Sequence, residues 1–230
     1  MRPKCTTAYR IPFLFNRVQA RQLLLIAFHL PDRNGAPHRG KVYFTIFALL
    51  YGLGLRVGEV SHLRRVDIDF NRKLLVIRQT KFSKDRLVPF GPKVAERLQE
   101  YLQHHEEYYG KRKPDSYVFS FRQERPIHPC TVSQTFHQLI PQLNLTLPLG
   151  VSPPRLHDLR HSFAVGALLR WYRTGINSTQ RLFHLSMFMG HVDPSSTAIY
   201  LTITEDILKE ANQRFEQFIP LSIKENQSHD

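Results

Sequence analysis

One change of hydrophobic period constrains the fold of this chain more than any other feature. Apolar residues recur at helical spacing before and after residues 66–90, for example over 42–51. Within 66–90, two short β-branched-rich runs, 74–77 and 87–90, flank a polar segment, which predicts a β-hairpin. We therefore expect a mainly α domain with one small antiparallel sheet (α+β).

The helical segments can be placed by their apolar stripes and their terminal residues. Gly52 and Gly54 are expected to end the helix of 42–51, and a short helix should start near Arg56. Thr204 is expected to cap the last helix. Residues 117–119 form either a third strand or an extended link. The remaining predicted helices begin at residues 17, 92, 131, 157 and 182.

Charge indicates the class of partner. The chain carries 32 Lys and Arg against 19 Asp and Glu, a formal net charge of +13. A domain this basic favours double-stranded DNA or RNA, because neutralising phosphates releases condensed counterions. Cys5 and Cys130 lie far apart, so no disulfide framework is predicted and a cytoplasmic location is expected. The apolar stretch 43–55 is too short to span a bilayer.

Six chemically capable side chains stand in four local contexts. The contexts are Gly-Leu-Arg56-Val-Gly-Glu59, Thr-Lys81-Phe-Ser-Lys84-Asp-Arg86, His157-Asp-Leu-Arg160-His161, and Gly-His191 followed nine residues later by Tyr200. Guanidiniums and an ammonium can hold a phosphodiester, imidazoles can move protons, and a phenol can attack once cations stabilise its charge. The candidate catalytic residues are Arg56, Lys81, His157, Arg160, His191 and Tyr200.

Each of these signals has a simpler interpretation when it is taken alone. Arg56 can pair with Glu59 on one helical turn, and the charged hairpin turn can be merely solvated. Tyr200 can be a core tyrosine, and chemistry alone does not separate Lys81 from Lys84. His157 and His161 have the i, i+4 spacing of a zinc pair, but Asp158 stands where zinc proteases have glutamate. No metal or other cofactor is therefore predicted.

The order and contexts of these residues resemble the catalytic domain of the tyrosine recombinases, or phage integrase family. The similarity covers about 17–218, and its strongest match is His157-Asp-Leu-Arg160-His161-Ser-Phe. The family pattern favours Lys81 over Lys84. Met189 replaces a leucine of the closing segment, and the run 185–201 is most similar to transposon-borne members.

The resemblance implies a role for each residue. Tyr200 would attack the scissile phosphate to give a 3′-phosphotyrosyl intermediate, while Arg56 and Arg160 bind its non-bridging oxygens. His157 would act as acid or base, Lys81 would protonate the leaving 5′ oxygen, and His191 would hydrogen-bond the phosphate. Three further residues, Lys84, Arg86 and His161, are predicted to contact DNA. Glu59 is predicted to support Arg56.

The resemblance also implies an organisation and partners. Residues 1–16 are expected to be an irregular leader, 17–219 the catalytic domain and 220–230 a disordered tail. So short a leader suggests a chain without the family's usual N-terminal DNA-gripping domain. The apolar stripe of the predicted helix 204–218 is expected to join four copies of this chain on DNA. The alternatives are a catalytically silent DNA-binding remnant that regulates an intact recombinase, and a type IB topoisomerase.

Overall fold

The computed structural model describes residues 11–78, 85–121, 125–176, 178–190, 197 and 199–204. Its helices are α1 (Arg17–Phe28), α2 (Arg39–Leu53), α3 (Val57–Ser61), α4 (Pro92–Tyr109), α5 (Pro129–Leu139), α6 (Asp158–Arg173) and α7 (Ser178–Met189). Its strands are β1 (Ile68–Asp69), β2 (Leu74–Ile77) and β3 (Arg86–Pro89). Residues 199–204 are also helical. The predicted fold class, mainly α with one small antiparallel sheet, is confirmed.

The sheet contains the predicted hairpin. β2 and β3 are antiparallel, with Leu75 opposite Val88, and β1 pairs with the other edge of β2. Leu75 and Val88 are both buried, since alternate residues of a strand face the core. The third strand is 68–69, and residues 117–119 are a link with bends at 118 and 119, joined to Arg64 by an isolated bridge at Tyr117.

Two predicted helix ends need correction. α2 continues through Gly52 to Leu53, whereas the predicted stop at Gly54 is confirmed, because its left-handed φ of 60° turns the chain out of the helix. Thr204 does not cap a helix, because 199–204 are already helical and its Oγ1 donates to the carbonyl of Tyr200 at 2.7 Å. The remainder of the predicted last helix, 205–218, lies outside the described residues.

Two apolar clusters surround the site. The larger one is built on α2, where Ile46 and Phe47 are completely buried, and it includes Phe13 and Phe15 of the segment before α1. The backbone N–H of Phe15 donates to Ser162 of α6 at 2.8 Å, which ties that segment to the domain. The smaller cluster joins α6, α7 and 199–204. Helix α6 lies between the two and carries residues of both.

Gly54 is expected to be intolerant of a side chain. A Cβ there would lie 2.4 Å from Cδ1 of Phe163, and the backbone has a positive φ. We expect Gly54→Ala to lower the free energy of unfolding by about 3 kcal/mol through backbone strain and overpacking. Denaturant unfolding would measure this change.

Gly52→Ala is the matched control for this prediction. Gly52 lies inside α2, and a Cβ there meets nothing within 4 Å. The control should be unchanged or more stable by up to about 1 kcal/mol, because alanine favours a helix. Equal losses at both positions would contradict the packing argument.

Candidate active site

Arg56 stands at the N-terminus of α3, directly after the turn at Gly54. Its backbone N–H donates to Oε2 of Glu59 at 2.7 Å, and its Nη1 donates to Oε1 at 2.8 Å. Glu59 therefore caps the helix and aims the guanidinium. Nη2 of Arg56 donates to the carbonyl of Gly190 at 2.7 Å, which links α3 to the end of α7.

Glu59 is shared by two arginines. Arg86 of β3 donates from Nη1 and Nη2 to the two carboxylate oxygens at 2.6 and 2.8 Å, and from Nε to the carbonyl of Phe188 at 3.1 Å. The side chains of Glu59 and Arg86 are only 8% and 11% exposed. Burial by itself would raise the pKa of Glu59, but the hydrogen bonds and charges of Arg86 and Arg56 outweigh it and lower that pKa.

Arg160 is the most deeply buried cation of the site, with 1% of the residue exposed. Its Nη1 donates to the carbonyl of Gly54, and its Nη2 donates to the carbonyl of Met189 at 2.5 Å. Arg56 and Arg160 thus bind carbonyls of consecutive residues, which brings their guanidiniums together at one turn. Burial and then the charge of Arg56 lower the pKa of Arg160 to about 9, so it stays charged at neutral pH.

Tyr200 lies in the smaller apolar cluster and is 2% exposed. Its hydroxyl is 2.8 Å from Nδ1 of His161, the residue that follows Arg160 on α6. Burial raises the pKa of Tyr200 to about 12, while the nearby charges of Arg160 and Arg56 act in the opposite direction. The phenol is therefore protonated at neutral pH, and the two guanidiniums are positioned to stabilise its anion.

His157 lies at the edge of a cleft of about 1030 Å³ whose lining also includes Arg56, Arg64 and Arg78. Burial by the surrounding protein, then the charges of Arg160 and Arg56, lower the pKa of His157 to about 4. The residue as a whole is exposed, so water screens part of these charges. His157 is thus neutral at pH 7 and able to accept a proton.

The structure brings together four predicted site residues, Arg56, His157, Arg160 and Tyr200, with Glu59 as the predicted support of Arg56. Lys81, Lys84 and His191 lie outside the described residues. The individual catalytic roles stay predictions, as do the predicted domain boundaries.

Two residues predicted to contact DNA, Arg86 and His161, have protein partners in this structure, and their contacts with DNA stay predictions. The guanidinium of Arg86 holds Glu59 and the end of α7, and His161 contacts the Tyr200 hydroxyl. Both contacts join residues distant in sequence, so helical or strand spacing carries no signal for them. The pairing of Arg56 with Glu59, three residues apart, was accessible from the sequence.

Two findings concern metal sites and membrane-spanning helices. Among the described residues, no three His, Cys, Asp or Glu side chains converge to form a possible metal site. Within the same part of the chain, no helix is long and apolar enough to cross a membrane.

The site thus unites two guanidiniums, a neutral imidazole and a buried phenol in a mainly helical domain. The model of the phage integrase family matches residues 28–206. The chain belongs to this family.

Relatives and solved structures are consistent with this membership. A candidate integrase/recombinase of Sinorhizobium fredii, y4rB, is 34% identical over 207 residues, covering 90% of this chain and 66% of the relative. The crystal structure of XerA recombinase matches with a TM-score of 0.66 and 21% identity, over 94% of this chain and 67% of that one.

The Tn1549 transposon integrase, solved in complex with transposon right end DNA, has the same fold, with a TM-score of 0.62 and 18% identity. It is matched over 90% of this chain and 67% of its own length. This chain spans 54% to 66% of the length of three curated relatives.

Proposed function

We propose that this chain is the catalytic domain of a tyrosine-type DNA recombinase. Tyr200 attacks a DNA phosphate, forms a 3′-phosphotyrosyl bond and releases a 5′ hydroxyl, and the reverse reaction rejoins strands. The observation that carries the proposal is the convergence of Arg56 and Arg160 on one turn, where both charges act on Tyr200. Guanidiniums so placed stabilise charge on a phosphate and on a phenolate alike.

The remaining roles complete the reaction. His157 is the acid or base at the cleft, Lys81 protonates the leaving 5′ oxygen, and His191 hydrogen-bonds the phosphate. One phosphodiester replaces another, so neither ATP nor a metal is required. The net charge of +13 supports DNA as the partner. Two relatives are named integrase/recombinase, and an origin in a mobile element stays a prediction.

The carbonyls of Met189 and Gly190 occupy donors that the proposed mechanism assigns to the phosphate. Each guanidinium has five N–H donors, which is more than these contacts use, so further donors can bind a phosphate. Assembly of four copies on DNA stays a prediction, because the helical stripe assigned to it begins beyond Thr204.

The test is a covalent trap on DNA with a nick beside the scissile phosphate, so that the cleaved fragment diffuses away. We expect an SDS-resistant protein–DNA adduct that forms at the same rate with or without excess EDTA. The guanidiniums, rather than a divalent ion, neutralise the developing charge. Denaturing gels of a time course would measure the rate.

Two outcomes would contradict the proposal. DNA binding with no adduct from any nicked substrate would favour the catalytically silent binding remnant. Loss of the adduct in EDTA, with recovery on adding Mg²⁺ or Zn²⁺, would contradict the metal-free mechanism.

A further inference from the structure

The contact between His161 and Tyr200 joins two helices at the candidate nucleophile. Nδ1 of His161 lies 2.8 Å from the hydroxyl oxygen of Tyr200, and the ring centroids are 5.5 Å apart. Residue Tyr200 is 2% exposed, whereas His161 is half-buried. The contact thus lies at the inner side of the site, away from bulk water.

Helix geometry explains why His161, rather than Arg160, contacts the phenol. Consecutive helical residues point about 100° apart, so Arg160 is directed to the turn at 189–190 and His161 to the helix 199–204. His157 lies one turn earlier, and its ring meets that of His161 edge to face at 4.7 Å. Two imidazoles therefore stand in series between the cleft and the phenol.

The chemistry requires a proton acceptor at this position. A phenol attacks phosphorus as its anion, and burial holds the pKa of Tyr200 far above neutrality. The charges of Arg160 and Arg56 stabilise the anion, but a guanidinium cannot accept the proton. A neutral imidazole within hydrogen-bonding reach can.

We propose that His161 is a catalytic residue that accepts the hydroxyl proton of Tyr200 during strand cleavage. This rests on the proposed recombinase function. The O–H bond of Tyr200 breaks and an Nδ1–H bond forms, while the phenolate oxygen bonds to phosphorus. The P–O5′ bond breaks, and the 5′ oxygen takes its proton from the leaving-group acid assigned to Lys81. Rejoining returns the proton from His161 to Tyr200.

The charge state of Tyr200 is influenced by charges on the surrounding elements. Among the described residues, those acting on Tyr200 or on its neighbour Arg160 include Arg56 and Glu59 of α3, Arg86 of β3, and Asp158 of α6. The cations favour the phenolate and Asp158 opposes it. Protonating His161 removes the acceptor, so cleavage should fall as the pH falls.

The test compares His161→Asn with His161→Ala in single-turnover cleavage across a pH series. The asparagine amide places a hydrogen-bonding group near the position of Nδ1 but is not basic. We expect both variants to cleave at least about a hundredfold more slowly than wild type at neutral pH. Their rates should keep rising with pH, without the plateau that the wild type reaches above its acid limb. Near-wild-type cleavage by His161→Asn, or an unchanged plateau in its profile, would overturn the proposal.

A second measurement does not depend on activity. Tyrosine labelled with ¹³C at Cζ gives an NMR signal for Tyr200, assigned by its loss in Tyr200→Phe. In wild type this signal should shift as His161 titrates, and in His161→Asn that shift should be absent. Identical titrations would overturn the contact even if the variants unfold too readily for kinetics.

The two measurements separate the two proposals. A wild-type chain that never forms an adduct contradicts the recombinase function, and the proton transfer with it. A wild-type chain that cleaves, together with an active His161→Asn variant, contradicts only the role of His161.

Discussion

Tyr200→Phe is expected to abolish the covalent DNA adduct, with no residual product above background. The change removes one oxygen from a buried ring, so the packing of the smaller apolar cluster is kept. The free energy of unfolding should fall by about 1 kcal/mol, from the lost hydrogen bond to His161. Denaturing gels would measure the adduct, and fluorescence anisotropy should show nearly unchanged DNA binding.

Tyr172→Phe is the matched control, because it removes the same oxygen from a tyrosine of α6 that is 59% exposed. It should form the adduct at the wild-type rate. An adduct that persists in Tyr200→Phe would show that another residue is the nucleophile. Loss of the adduct in both variants would point to an effect on folding or binding.

Glu59→Gln is expected to lower the free energy of unfolding by about 3 kcal/mol, because breaking a buried ion pair leaves its partner uncompensated. The buried carboxylate accepts hydrogen bonds from both Nη atoms of Arg86 and from the side chain and backbone N–H of Arg56. An amide keeps the shape but has one acceptor oxygen and no charge. Denaturant unfolding at neutral pH would measure the loss.

Glu100→Gln is the control for this change. Glu100 pairs with Arg97 on the surface of α4, with side chains 53% and 44% exposed, and should change stability by no more than about 0.5 kcal/mol. Similar losses in the two variants would contradict the central position of Glu59.

The pH dependence of unfolding gives Glu59 a second signature. Its folded-state pKa is lowered, so its stabilising effect is present above the unfolded-state pKa and is lost as pH falls towards the folded value. The difference in free energy of unfolding between Glu59→Gln and wild type should therefore be smallest at acidic pH. A difference between the two proteins that stays constant from neutral to acidic pH would contradict this assignment.

Local patterns were enough to predict the architecture. The change from helical to alternating spacing around β2 and β3 reflects which side chains must be buried, and burial sets the period of each element. The helix starting at Pro92 was likewise evident, since proline has no N–H to lose at a first helical position. The end of α2 was misplaced by two residues because a helix tolerates Gly52, and the left-handed turn occurs at Gly54.

The residue types of the site could also be read from the chain. Arg56 and Glu59 are one helical turn apart, and His157, Arg160 and His161 lie within two turns of α6. Their spacing alone places them on neighbouring faces. Their resemblance to the phage integrase family identified the chemistry that such a set can perform.

Tertiary packing decided how these groups are connected. The acceptors of Arg160 are backbone carbonyls of Gly54 and Met189, and every residue has a carbonyl, so no side-chain pattern marks them. Glu59 and its partner Arg86 are 27 residues apart along the chain, and Tyr200 and its partner His161 are 39 residues apart. Such contacts exist only once α6, α7 and β3 have packed together, because burial then makes each polar group find a partner within reach.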